Sequence, residues 1–266
     1  MNAYKALLAT VVFASANAAY AGPLVNGGFE DGNTNGWTTG GGYRGTTLNP
    51  DMVPADFLPG GSKYDSSSNR SSVITAGTVD PIIGAALGST VHSGNYSYRA
   101  EDTLSGGYAS VISQKVTNYT EANFYFAWKA VLENGGHDAD ESAVMFITLT
   151  DDTTGTLLIN RVYNAGDTGG GVDSRFVQAG DYFYTPQWQI EQLAIDIDLM
   201  GHDFTISLLA ADCNPTAHTG YVYLDGFGGR IPDTDVPEPA SAGLMMLGAL
   251  GFLASRRRRQ SAQTGA

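Results

Sequence analysis

The clearest pattern in the chain is alternation. Phe124, Phe126 and Trp128 alternate with Tyr125, Ala127 and Lys129. A period of two puts the three aromatics on one face of a strand that is buried on at least that side. Residues 111–116 begin another strand before it. Residues 143–150 and 156–163, joined by the turn residues of 151–155, predict a hairpin. Residues 188–199 read as one strand, with Ile195 and Ile197 facing one way and Asp196 and Asp198 the other. Residues 204–210 form the next strand. In the last strand Tyr221, Tyr223, Asp225 and Phe227 share one face, and Val222 and Leu224 take the other. Outside the two ends of the chain, no stretch sustains a helical period over three turns. Eight or more strands with turn-rich connections predict an all-β fold, a two-sheet antiparallel β-sandwich. Its core is expected to include Phe124, Phe126, Trp128, Met145, Phe146, Ile147, Ile195, Ile197, Phe204, Ile206 and Leu208.

Two regions are poorer in pattern. Residues 24–32 (LVNGGFEDG) predict a short strand with Val25 and Phe29 facing the core and glycines allowing a bulge between them. Residues 38–72, rich in Gly, Ser, Asn, Pro and Thr, read as long surface loops. The opening strand is too short and glycine-rich to stand alone. It needs a long neighbour, and residues 221–227 have the right alternation. That pairing brings Glu30 near Asp225.

The two ends carry a different signal. Lys5 is the only charge before Glu30, an apolar run follows from Ala6 to Phe13, and Ala19-Tyr20-Ala21 supplies an A-x-A site. This is a secretory signal helix, with cleavage expected after Ala21. At the other end Pro237, Glu238 and Pro239 interrupt any regular structure, an uncharged run spans 240–254, and Arg256 to Arg259 form a cluster that resists transfer across a bilayer. The run is shorter than the roughly 20 residues of a comfortable span, and snorkelling arginines extend it into a short transmembrane helix. This order of box, apolar helix and arginine cluster resembles the PEP-CTERM sorting signal of Gram-negative bacteria. The resemblance implies an exosortase that cuts near the box, a transient inner-membrane anchor, and export to the cell surface or beyond. A permanent anchor is the alternative. The chain thus divides into a signal peptide (1–21), a β-sandwich domain (22–235), a sorting segment (236–259) and a tail (260–266).

Charge narrows the partners. The chain carries 14 Lys+Arg and 27 Asp+Glu; setting aside Lys5, the four tail arginines and Glu238 leaves 9 basic and 26 acidic residues, a net of −17. Such a surface repels nucleic acid and offers many oxygen ligands to Ca²⁺. The one cysteine, Cys213, excludes an intramolecular disulfide and reads as a buried thiol. No C-x-x-C, H-E-x-x-H, phosphate-loop or G-x-S-x-G pattern occurs.

The N-G-G-F-E opening, the H-S-G-N-Y-S turn at residues 92–97, the S-Q-K-V strand at 113–116 and the Y-L-D-G-F ending at 223–227 resemble galactose-binding-domain-like jelly rolls, among them carbohydrate-binding modules. A V-L-E-x-G-G-H loop (131–137) and a D-C…H-x-G-Y-x-Y-x-D segment (212–225) are similar to bacterial surface modules, a likeness that implies no activity. In the jelly rolls the first and last strands lie side by side and commonly hold a structural Ca²⁺. Carried over, this implies a calcium site at Glu30 and Asp225, although Gly226 stands where many such modules have a second acid or amide.

Weaker metal candidates are His137, Asp138 and Asp140 in one loop and His218 in another, which together would make a mixed nitrogen and oxygen site. Eighty residues separate them, and whether they meet stays open. Trp37, Tyr43, Tyr182 and Trp188 lie in or beside loops and are candidates for stacking on sugar rings. The resulting expectation is an exported, noncatalytic surface or biofilm-matrix protein that binds polysaccharide, the cell's own exopolysaccharide included. The alternatives are an extracellular glycoside hydrolase or polysaccharide lyase, which needs a suitably spaced acid pair, and a self-assembling surface component.

Overall fold

The computed structural model describes residues 24–167 and 171–230. The expected signal helix, Ala21, the Pro237-Glu238-Pro239 box and the expected short transmembrane helix lie outside the described residues. No helix among the described residues is long and apolar enough to cross a membrane.

Among the described residues twelve strands, numbered in chain order, form two antiparallel sheets. The first runs β1 (Thr38–Tyr43), β4 (Tyr108–Val116), β11 (Phe204–Ala211), β6 (Val144–Asp151), β7 (Thr156–Asn164). The second runs β2 (Ser72–Thr75), β3 (Tyr96–Ala100), β12 (Gly220–Gly228), β5 (Asn123–Glu133), β9 (Tyr182–Tyr184), β8 (Val177–Ala179). β5 is long enough to take two partners in series on one side, β10 (Gln189–Ala194) along Asn123 to Trp128 and β9 along Val131 to Glu133. The predicted hairpin is β6–β7, with a register shift at Leu149 and Thr150.

The core lies between the sheets. Ile112, Met145, Ile147, Leu149, Phe204, Ile206 and Leu208 from the first meet Tyr98, Phe124, Phe126, Trp128, Val222 and Leu224 from the second. Trp128 stacks on Tyr163 at 5.3 Å, takes Arg175 against its ring at 4.9 Å, and donates its indole N–H to Glu191. The expected core residues are buried, with one exception. Ile197 is 77% exposed. The strand read over 188–199 ends at Ala194, and 197–199 turn as a short 3₁₀ segment, so the period of two stops before it reaches Ile197.

Residues 38–72 are not merely surface loops. They open with β1, and the chain beyond it folds back over the outer face of the first sheet, burying Met52 and Phe57 against Val111, Val144 and Leu209. The glycines of β1 make room for this cover: a Cβ on Gly42 would stand 1.9 Å from the Lys63 carbonyl oxygen. On the outer face of the second sheet, Leu87 covers Val131, Tyr184, Tyr221 and Tyr223.

The last strand also departs from simple alternation. Gly226 has φ of 65°, and the β12–β5 register shifts between Asp225 and Gly228. This bulge moves Phe227 to the inner face, where it stacks on Phe126 at 5.6 Å, while Tyr221 and Tyr223 stay on the outer face. Phe227 therefore does not share a face with the two tyrosines.

Candidate functional site

Residues 24–32 form tight turns rather than a strand. Asn26 and Phe29 adopt positive φ, Phe29 N–H donates to Asn26 O, and Val25 is 57% exposed. Leu24 and Phe29 enter the core, Phe29 against Tyr98, Trp37 and Phe227. The expected closeness of the two ends holds all the same, because Phe227 N–H donates to Gly27 O at 2.9 Å. A methyl placed on Gly28 would lie 3.7 Å from Asp225 Oδ1 and 3.7 Å from Glu30 Cγ, so the two acids flank one glycine.

One turn serves both carboxylates. Asp225 Oδ2 accepts from the His92 and Ser93 amides at 2.9 and 3.0 Å, and Glu30 accepts from the Asn95 and Tyr96 amides at 3.0 Å each. Gly94, between these pairs, has φ of 69°, and a Cβ there would strike the Glu30 carboxyl at 2.5 Å. That explains the glycine of the H-S-G-N-Y-S turn. Burial pushes the Asp225 carboxyl well above its usual range, and the neighbouring Glu30 charge adds to the rise. Neither acid makes a salt bridge among the described residues. The Asp225 Oδ2 lone pairs are engaged by amides, and Oδ1, which accepts from its own residue's successor, keeps capacity toward Gly28.

At one end of the sandwich the β5–β6 and β11–β12 loops meet. His137 Nε2 stands 3.1 Å from His218 Nδ1, and Cys213 Sγ stands 3.4 Å from that same nitrogen. The two histidines that sequence separation left apart are in contact, and the cysteine joins them. Asp138 and Asp140 are not part of this converging group.

The aromatic candidates fall in four different settings. Trp37 is 8% exposed, donates its indole N–H to Asn26 O and packs edge-on to Phe227 at 4.8 Å. It belongs to the core and presents no face to a ligand. Tyr43 is 52% exposed at the edge of the first sheet, edge-on to Tyr108. Tyr182 is half-buried on β9, where burial and then Glu133 raise its phenol. Trp188 lines an open cleft of about 510 Å³ with Ser89, His92, Ser93, Gly94 and Gln187. Its indole N–H is tied to Ser89 O at 3.1 Å, and His92 meets its ring edge-on at 5.5 Å. Beneath it Lys129 is buried, donates to the carbonyls of Leu87 and Ser89, and is pushed by burial down to about 8. The cleft shares the turn at residues 92–94 with the Glu30–Asp225 pair.

Sequence reasoning missed the burial of four charged residues. Arg44 is fully buried, and its guanidinium donates to the carbonyls of Thr47, Ser142 and Asp212 and to Asn49 Oδ1. Asp80 accepts from both Tyr221 and Tyr223 hydroxyls. Glu101 and Asp212 are fully buried near each other, pushed by burial up to about 8 and about 7. None follows a local motif. Isolated charges in turn-rich sequence give no sign that they will be covered.

Residues 235–259 match the PEP-CTERM protein-sorting motif. The motif marks an exported protein directed to the cell surface. No curated protein matches the chain in sequence. Among solved structures the chain is similar to the carbohydrate-binding module TmCBM61, solved in complex with β-1,4-galactotriose, at 14% identity and a TM-score of 0.39, covering 78% of this chain and 96% of that one. It is similar to CBM28, a module specific for non-crystalline cellulose, at 13% identity and a TM-score of 0.36, covering 77% and 92%. It is also similar to the enzymatically active domain of bacteriophage CBA120 tailspike protein 4, at 10% identity and a TM-score of 0.36, covering 78% of this chain and 21% of that one.

Proposed function

We propose that the mature chain is a noncatalytic surface or matrix protein that binds polysaccharide in the cleft beside Trp188. The observation that carries this reading is the cleft itself. A half-buried indole is held in place by Ser89, and amide and hydroxyl groups of Ser89, Ser93 and Gln187 stand around it. Sugars present apolar C–H faces to flat rings and hydroxyls to polar rims, which is the combination this cleft supplies. The surface charge of the mature chain favours neutral polymers over anionic ones. The sorting motif supports delivery to the compartment where such polymers lie.

A structural Ca²⁺ at Glu30 and Asp225 fits this reading. Two carboxylates on either side of Gly28, one of them buried, repel each other unless a proton or a cation intervenes. Hard carboxylate oxygens suit Ca²⁺. Such an ion would fix the turn at residues 92–96, which forms one wall of the Trp188 cleft. A catalytic reading would need an acid pair open to substrate. Glu101 and Asp212 have raised carboxyls but are fully buried and line neither the Trp188 cleft nor the cleft beside Asn49 and Phe146.

The test is a glycan array with neutral and acidic polysaccharides, combined with reducing-sugar release. Trp188→Ala should lower affinity at least tenfold in a protein that still melts in one cooperative transition. Sugar release by the wild-type chain would replace this reading with the hydrolase. Equal binding by the variant would move the site elsewhere.

A further inference from the structure

We propose that His137, Cys213 and His218 form a Zn²⁺ site that clamps the β5–β6 loop to the β11–β12 loop. The three ligand atoms all lie within 4.8 Å of one another. Tetrahedral zinc, with Zn–N near 2.0–2.1 Å and Zn–S near 2.3 Å, sets ligand nitrogens about 3.3 Å apart and nitrogen from sulfur about 3.6 Å. The separations of 3.1 Å for His137 Nε2 to His218 Nδ1 and 3.4 Å for Cys213 Sγ to His218 Nδ1 fall within a few tenths of these.

The surrounding chain is built to hold this convergence. The His218 ring lies directly on the backbone of Gly135, where a Cβ would stand 2.0 Å from Nδ1. Gly136 then takes φ of 70°, which turns the chain and delivers His137. Asn134 fixes that turn, accepting from Gly136 N–H at 2.8 Å and donating to Asp167, whose own amide bonds the His137 carbonyl. The opposite loop closes on itself. Cys213 N–H donates to His218 O at 2.9 Å, and His218 N–H donates to Cys213 Sγ at 3.2 Å. The thiolate is the form of cysteine that binds metal. Arg44 holds the residue before the cysteine, donating to Asp212 O at 2.5 Å. These are the outer contacts that orient the ligands of a metal site.

Hydrogen bonding alone serves the group poorly. His218 Nδ1 has one position to fill, and both His137 Nε2 and Cys213 Sγ point at it. A metal ion satisfies all three atoms at once. Two imidazoles and a thiolate select a borderline or soft cation over Ca²⁺. Three protein ligands, with both histidines half-exposed, leave a fourth position facing solvent.

The experiment uses the full chain, purified under reducing conditions and stripped with chelator. Titration with Zn²⁺ against a chromophoric chelator should give one site per chain, not displaced by millimolar Ca²⁺. Co²⁺ in its place should show a thiolate-to-metal charge-transfer band. Cys213→Ser should abolish that band, and both Cys213→Ser and His137→Gln should weaken Zn²⁺ binding at least tenfold. Asp225→Asn should leave it unchanged, which separates this site from the calcium reading. No stoichiometric binding, displacement by Ca²⁺, or full affinity in His137→Gln would each overturn the proposal. The half-exposed His137 position keeps the test valid should Cys213→Ser fail to fold.

Discussion

Phe227 donates its backbone N–H to the carbonyl of Gly27 at 2.9 Å, closing the sandwich across two hundred residues of sequence. The contact needs glycine at 27, because a Cβ there would stand 2.0 Å from the Phe227 carbonyl oxygen. Gly27→Ala should destabilise the domain by about 1–3 kcal/mol through overpacking. Gly28→Ala, which meets only ordinary contacts at 3.7 Å, is the control. Urea denaturation of the two variants measures the difference, and equal midpoints would show that the closure is not needed.

Asp225 is the acid most altered by folding near that contact. Burial raises its carboxyl, so protons compete with any cation there, and Ca²⁺ affinity should increase as pH rises. Asp225→Asn should remove the Ca²⁺-dependent gain in melting temperature, on top of a Ca²⁺-independent loss, because its amide nitrogen cannot accept from the backbone amides that both Asp225 oxygens serve. Calorimetry with and without Ca²⁺ at two pH values checks both statements. A Ca²⁺ response that survives in the variant would place the ion elsewhere.

Glu101 gives a pH dependence of stability. Its folded carboxyl titrates near 8, against 4.5 without burial, and the Asp212 charge adds to the rise. The folded state therefore holds this proton where the unfolded chain has released it. Stability from this group is greatest below the unfolded value and falls as pH rises toward the folded one. Asp212, raised to about 7, acts in the same direction. Glu101→Gln should flatten the fall in melting temperature between about pH 5 and about pH 8. Parallel profiles for the two proteins would mean the carboxyl is not buried as described.

Trp128 anchors the core between the sheets. Trp128→Ala removes its stacking on Tyr163 and leaves Glu191 without the indole donor. The expected cost is about 3–5 kcal/mol. Melting unchanged from the wild type would contradict the placement of β5.

The A-x-A site at Ala19 to Ala21 predicts a mature chain that starts at Gly22, and the sorting motif predicts that it lacks Arg256 to Arg259. Mass spectrometry of protein recovered from the cell surface reads both ends at once. An intact arginine cluster would favour a permanent anchor.

Sequence alone determined what depends on local periodicity. The alternation of Phe124, Phe126 and Trp128 sets a strand whatever its neighbours are, and so does the β6–β7 hairpin pattern. The sorting motif is likewise a linear signal, readable without a fold. The nearness of Glu30 to Asp225 was within reach because a weak opening segment needs a partner with suitable alternation. The tertiary structure decided the rest, because it turned on contacts between distant segments. A single positive φ at Gly226 moved Phe227 to the other face, and a loop folded over β1 made a glycine-rich stretch part of a second core. Trp37 passed from a candidate ligand platform to the core because Phe29 and Phe227 enclose it. Cys213 reads in isolation as an inert buried thiol. Only the meeting of two loops, permitted by the missing side chain of Gly135, sets it beside His218 and His137.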